Sequence, residues 1–454
     1  MADLDDVLAH IDASRDSHLA RLLDYLRHPS ISAQDIGIRE VAKLLVDHLA
    51  GLGFQAEAVP TSGHPMVLAH RTDAPGKPTV LLYGHYDVQP PEPLDLWVSP
   101  PFTPTVRDGR IYARGAGDNK GQHFAQLLAI EAHLAVTGTL PCNVIVLLEG
   151  EEEIGSPRIG EFVAAHADRL KADLVITADG PLHPSGRPIV TFGVRGMAGF
   201  ELRVRTGRTD AHSGNHGGTM PNALWTLVHL LGTMKNADGD ITIDGLHAPI
   251  RPPTNAERAA AEMLPVDVPG YLEEMDLRRL DAPANRPFHD RLMFHPTLTI
   301  NGISGGYSGA GVKTVLPSEA VAKCDIRLVP DMTPDHAIAC VRAHVERHAP
   351  DGEVEVVGHG GMLPSRTPLD DPFAPIIIDA VEEARGVRPH VYPLVGGSLP
   401  DYVFTKTLGL PAFVIPYANA DEANHAPNEN LEVALFHAGI RTGAVLLHRL
   451  GEAA

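Results

Sequence analysis

The chain contains short, wholly apolar runs that stop at ionisable residues, and this feature narrows its folds most. Val80-Leu81-Leu82-Tyr83 ends at Gly84-His85, Val144-Ile145-Val146-Leu147-Leu148 ends at Glu149, and Leu174-Val175-Ile176-Thr177 runs out just before Asp179. Ala412 to Ile415 makes a fourth run. Runs this short and unalternating read as strands buried on both faces, which requires helices on both sides. Asp12 to Leu26, Arg39 to Leu52 (stopped by Gly53) and Gln122 to His133 have the periodicity of such helices. Strand–helix–strand order predicts an α/β domain with a largely parallel sheet. Open sheets of this kind bind ligands outside the carboxyl ends of their strands, where these ionisable residues lie.

From about Thr191 the pattern changes. Phe200 to Arg205 alternates apolar and polar, and so does Val321 to Leu328, with Ala322, Cys324, Ile326 and Leu328 on one side. Helical patterns follow at Asn222–Met234 and Pro334–His348, and Glu353–Val357 reads as a closing strand. A small α+β unit with an antiparallel sheet is therefore inserted into the α/β domain. The boundaries fall at 1–190 and 362–454 for the outer domain and 191–361 for the insert. Ala248 to Pro296, with Arg251-Pro252-Pro253 and Asp281-Ala282-Pro283, reads as an irregular elaboration of the insert.

Composition excludes several classes. With 37 Lys+Arg against 57 Asp+Glu in 454 residues, the formal charge is −20, which argues against nucleic acid and anionic membranes as partners. No apolar run approaches the ~18 residues of a membrane helix. Met1 to Arg15 carries acids and no apolar core of a signal peptide. Three cysteines without CxxC spacing make no disulfide framework, so a reducing cytoplasm is the expected location. The 25 histidines invite a search for metal ligands.

Four segments carry the chemistry. Gly84-His85-Tyr86-Asp87-Val88-Gln89-Pro90 sets an imidazole and a carboxylate two residues apart, on one face if the chain is extended. Arg114-Gly115-Ala116-Gly117-Asp118-Asn119-Lys120-Gly121 places one carboxylate in a glycine-rich turn at a helix start, where Asp118 could also serve as an N-cap. Glu149-Gly150-Glu151-Glu152-Glu153-Ile154-Gly155-Ser156 puts neighbouring carboxylates where one could hold metal and another activate water. Asn424-His425-Ala426-Pro427-Asn428-Glu429-Asn430 offers a late imidazole before the last helix. Such groups repel one another unless a cation intervenes, and mixed Asp, Glu and His donors suit zinc, manganese or cobalt.

Taken in order, these motifs resemble the M20 family of dinuclear metallopeptidases, most of all its carnosinase-type dipeptidase branch, from about His85 to Glu429. The resemblance implies a zinc-peptidase-like catalytic domain with an inserted ferredoxin-like lid and dimerisation domain, two zinc ions per subunit (manganese or cobalt as alternatives), and a homodimer. It implies one metal held by His85, Asp179 and a bridging Asp118, and the other by Glu153, His425 and the same Asp118. Asp87 would orient His85, and the Asp118–Asn119 peptide would be cis. A metal-bridged hydroxide would attack an amide carbonyl of a dipeptide or short peptide, with Glu152 as general base. His212, in Thr209-Asp210-Ala211-His212-Ser213-Gly214, would reach the neighbouring subunit's active site as an oxyanion donor. Arg327 would clamp a substrate carboxylate, and Gly396-Gly397-Ser398 would form the substrate loop, with Gly397 and Ser398 in contact. Leu394-Val395 depart from the charged residues of many dipeptidases before that loop. This keeps two further readings open: an amidohydrolase removing the acyl group of an N-acyl amino acid, and an inactive relative that binds through its lid.

Overall fold

The computed structural model describes residues 4–281, 287–350 and 352–453. Ala282 and Pro283 of the proline-rich stretch lie outside them. The chain divides into two compact units: Met1–Gly193 with Arg366–Tyr392 and Val403–Ala454, and Val194–Ser365 with Pro393–Tyr402.

In the first unit, eight strands form one sheet in the order Gln55–Val59, Met66–Arg71, Asn143–Glu149, Thr79–His85, Leu174–Thr177, Ala412–Val414, Ile189–Thr191 and His390–Tyr392. The centre is parallel: Thr79–His85 runs alongside both Asn143–Glu149 and Leu174–Thr177, and the latter alongside Ala412–Val414. Val80, Leu82, Val144, Val146, Leu148, Leu174 and Ile176 feed one core shared with helices Ile38–Gly51, Lys120–Thr137 and Val433–Glu452. The alternate residues Leu81, Tyr83, Ile145, Leu147 and Val175 are buried as well. Because strand side chains alternate, both faces of the sheet are covered, which is why the runs are apolar throughout. The parallel register aligns His85 with Glu149 at the ends of neighbouring strands. The N-terminal helix pattern begins earlier than the sequence indicates, with Leu4–Ala13 preceding Arg15–Leu26.

The second unit carries a four-stranded antiparallel sheet in the order Thr297–Gly305, Glu319–Leu328, Gly196–Arg205, Val354–Met362. Helices Ala223–Met234 and Pro334–His348 pack on it around Phe200, Leu202, Leu227, Leu230, Ile326 and Val341. With the chain order β-α-β-β-α-β, this is a ferredoxin-like unit. Among the described residues, the 248–296 stretch, read as irregular, holds three short helices, Asn255–Glu262, Val268–Glu274 and Phe288–Phe294. Thr254 and Glu257 form a capping box for the first, and Asp267 caps the second, which tolerates proline in its first turn.

Pro393–Tyr402, assigned from sequence to the outer domain, clusters instead with the second unit. Arg195 supplies the reason: its backbone N–H donates to the carbonyls of Val395 and Gly397, and its Nε to that of Gly396 at 2.9 Å. Among the described residues no helix is long and apolar enough to cross a membrane.

Candidate metal centre

All the expected metal-site groups lie in the first unit, His85, Glu153 and Asp179 at or just past strand ends and Asp118 and His425 on turns and loops. Thr79–His85 delivers His85, which is fully buried. Asp118 sits in the glycine turn before Lys120–Thr137. It does not cap that helix, because its oxygens face elsewhere: Oδ1 lies 3.0 Å from His85 Nε2 and Oδ2 lies 3.1 Å from His425 Nε2. Asp179 Oδ2 is 3.7 Å from His85 Nε2, and Glu153 Oε2 is 3.1 Å from His425 Nε2. Two groups could each hold an ion, His85–Asp118–Asp179 and Asp118–Glu153–His425, with the donor atoms of each group within 4.8 Å of one another. Each group offers one imidazole and two carboxylates, and Asp118 belongs to both. Three protein donors with a free position match a catalytic zinc-type site.

The Gly-rich turn is fixed from behind. Glu429 accepts from the backbone N–H groups of Gly115, Gly117 and Asp118, each at 3.0 Å, and pairs with the buried Arg114 at 2.7 Å. The Asp118–Asn119 peptide is cis, and Asn119 Nδ2 donates to Ala178 O at 2.6 Å, next to Asp179. A Cβ on Gly117 would meet Glu422 Oε2 at 2.1 Å, so any side chain here would have to displace the end of the Glu422 side chain. His425 sits at φ 57 in a loop wrapped around Asn430, whose Nδ2 donates to the carbonyls of Asp421, Glu422 and Asn428. Histidine is among the residues that tolerate this left-handed region.

Asp87 does two things. Its backbone carbonyl is the hydrogen-bond partner of His85 Nδ1 at 3.1 Å, and its Oδ1 lies 3.4 Å from the same nitrogen, so the residue fixes the imidazole's orientation. The same carboxylate accepts from the backbone N–H groups of Glu152 and Glu153, each at 3.1 Å, and so holds the turn that carries them. Gln89 Nε2 donates to Glu153 Oε2 at 3.0 Å. Gln89 and Glu429 are supporting residues that sequence reasoning missed as such, although both stand inside the motifs it singled out.

Electrostatics mark the centre as a cation site. Burial raises the Glu152 carboxyl well above the ordinary glutamate range; His85 opposes this, and Asp179, Asp118 and Glu153 reinforce it. Burial and Asp118 raise Glu153 to about 7 and Asp179 to about 6. Burial works against ionisation of Asp118, yet hydrogen bonds from His425 and His85 hold it below the usual aspartate range. Hydrogen bonds to Asp118 and Glu153 lift His425 to about 10. Carboxylates this close share protons unless a cation replaces them.

The remaining expected residues lie in the second unit. His212 is exposed, and its Nδ1 accepts from Gly214 N–H at 3.0 Å. Arg327 Nη1 donates to Ser398 Oγ at 2.9 Å. Gly397 has open space where a side chain would be.

The fold and this centre define a metal-dependent hydrolase. A model described as peptidase family M20/M25/M40 matches residues 81–449, and the chain belongs to that family. It is 30% identical to the Cys-Gly metallodipeptidase dug1 of Schizosaccharomyces pombe, over 98% of both chains. Among solved structures it is similar to the M20 family metallo-carboxypeptidase Sso-CP2 from Sulfolobus solfataricus, with 33% identity, TM-score 0.89, and 96% of this chain and 99% of that one covered. Human carnosine dipeptidase 1 matches at 27% identity and TM-score 0.83, over 100% of this chain and 99% of that one.

Glu429→Gln should leave Arg114 buried without its counter-charge and destabilise the protein by about 3–5 kcal/mol, measured by denaturant unfolding of the metal-free protein against wild type.

Proposed function

We propose that the chain hydrolyses the amide bond of dipeptides or short peptides with a free carboxylate, using a pair of divalent ions, zinc by preference and manganese or cobalt as substitutes. The sharing of Asp118 between two three-donor groups, with Glu152 next to one of the donors, carries this reading. Ions bound there would polarise the scissile carbonyl and acidify an attacking water. Glu152 takes the proton of that water on its carboxylate and later passes it to the leaving amine. Asp87 keeps Glu152 and His85 in register, its carboxylate accepting from the Glu152 and Glu153 backbone and its carbonyl holding His85 Nδ1. Arg327, Gly397 and Ser398 bind the substrate's carboxylate end, and His212 donates to the developing oxyanion from a neighbouring subunit.

The dimer has its own support. Thr297–Gly305 pairs on one side only among the described residues and presents an open edge with Ile300 and Ile303 half exposed. Trp225 and Val228 are exposed on the helix of the same unit. An open apolar edge of this length invites pairing with a second copy. The deacylase reading drew on Leu394-Val395, but Leu394 is only 2% exposed and presents little surface to a substrate. A cytoplasmic location completes the proposal.

Four outcomes test it. Asp118→Ala should abolish binding of both ions, whereas Asp179→Ala should spare one, as counted by elemental analysis of the dialysed proteins. Glu152→Gln should keep its full metal content while kcat on a dipeptide falls by roughly two to four decades; an unchanged rate removes Glu152 from the reaction. Ile303→Glu should convert the dimer to monomer by light scattering. In intact dimers, His212→Ala mixed with Glu152→Gln should regain activity that neither has alone.

A further inference from the structure

The second unit holds a pair of cations whose compensation is incomplete. Arg195 stands just before Gly196–Arg205, and the antiparallel register with Glu319–Leu328 sets Met197 opposite Arg327. The two guanidiniums converge on one loop: Arg195 Nε on Gly396 O at 2.9 Å, Arg327 Nη1 on Ser398 Oγ at 2.9 Å. The loop approaches so closely that a Cβ on Gly396 would lie 3.2 Å from Arg195 Nη2 and 2.8 Å from Leu292 Cδ1.

Asp325 faces this pair, with Oδ1 3.4 Å from Arg327 Nε, while its Oδ2 accepts from Asn301 Nδ2 at 2.9 Å. Arg195 has no carboxylate partner among the described residues. It is 6% exposed, and its Nη1 is buried without a hydrogen-bond acceptor among them. Burial, with repulsion from Arg327, draws its pKa down to about 10. A buried donor left unmade and two like charges side by side are both unfavourable, and an anion would relieve both. Two guanidiniums against one aspartate leave a formal charge of 2 − 1 = +1, which one carboxylate balances. The planar fork of arginine matches carboxylate geometry.

We propose that Arg195 is a second carboxylate-binding residue, forming with Arg327 and the Ser398 hydroxyl a two-guanidinium subsite that selects peptides with a free carboxyl end. This rests on the peptidase reading above. Arg195 determines specificity by completing the charge that Arg327 alone would supply, and it shapes the Gly396-Gly397-Ser398 loop at the same time.

The test uses the full-length, metal-loaded enzyme with a dipeptide and the same dipeptide amidated at its C-terminus. Wild type should prefer the free acid. Arg195→Met should raise KM for the free acid at least tenfold more than KM for the amide, with kcat within about threefold, and so collapse the preference by about tenfold. Arg195→Lys, which keeps the charge but loses the fork, should fall between and serves alone if Arg195→Met does not fold. An unchanged acid-to-amide preference in the folded variants, or an equal loss on both substrates, overturns the role of Arg195 while leaving the peptidase reading intact. A wild type silent on both substrates overturns that reading and the subsite with it.

Discussion

The centre depends on one carboxylate facing two ways. Asp118 turns one oxygen toward His85 and the other toward His425, and those imidazoles come from opposite ends of the chain. An aspartate can do this only if its backbone is immobile. That immobility comes from Glu429, which gathers three backbone N–H groups of the glycine turn and is held in turn by Arg114. A buried ion pair adds little net stability by itself, but once its donors and acceptors are satisfied it fixes a geometry. Here the geometry it fixes is the one on which both three-donor groups rely.

Asp87 performs the matching task on the other side. It touches His85 and also receives the backbone of residues 152 and 153. One carboxylate thus ties the strand end bearing a candidate ligand to the turn bearing the candidate base. Groups that must act together within a fraction of an ångström share one support, as pre-organised sites require.

Much of this was legible in the sequence because burial on both faces leaves an unmistakable pattern: Val80–Tyr83, Val144–Leu148 and Leu174–Thr177 read as strands, and His85 and Asp179, just past two of them, are among the residues the structure gathers. The alternation in Phe200–Arg205 and Val321–Leu328 likewise announced the second unit. What could not be read was set by partners distant in the chain. Glu429 is one acid among many until the fold brings three amides to it. Arg195 has neither a periodic nor a motif signature, and only its burial beside Arg327 singles it out. The helices between residues 248 and 296 were hidden because proline was taken as a breaker, although at a helix start it is compatible with the fold.

The assignment of Pro393–Tyr402 to the second unit means that unit is made from two separate lengths of chain, with a stretch of the first unit between them. It is therefore not a cassette. Excising residues 194–365 alone would strand a passage that has lost the arginine on which its carbonyls are anchored, and a graft of that segment into another scaffold would arrive without its own loop. Any recombination between relatives of this chain has to exchange both lengths together to yield a coherent product.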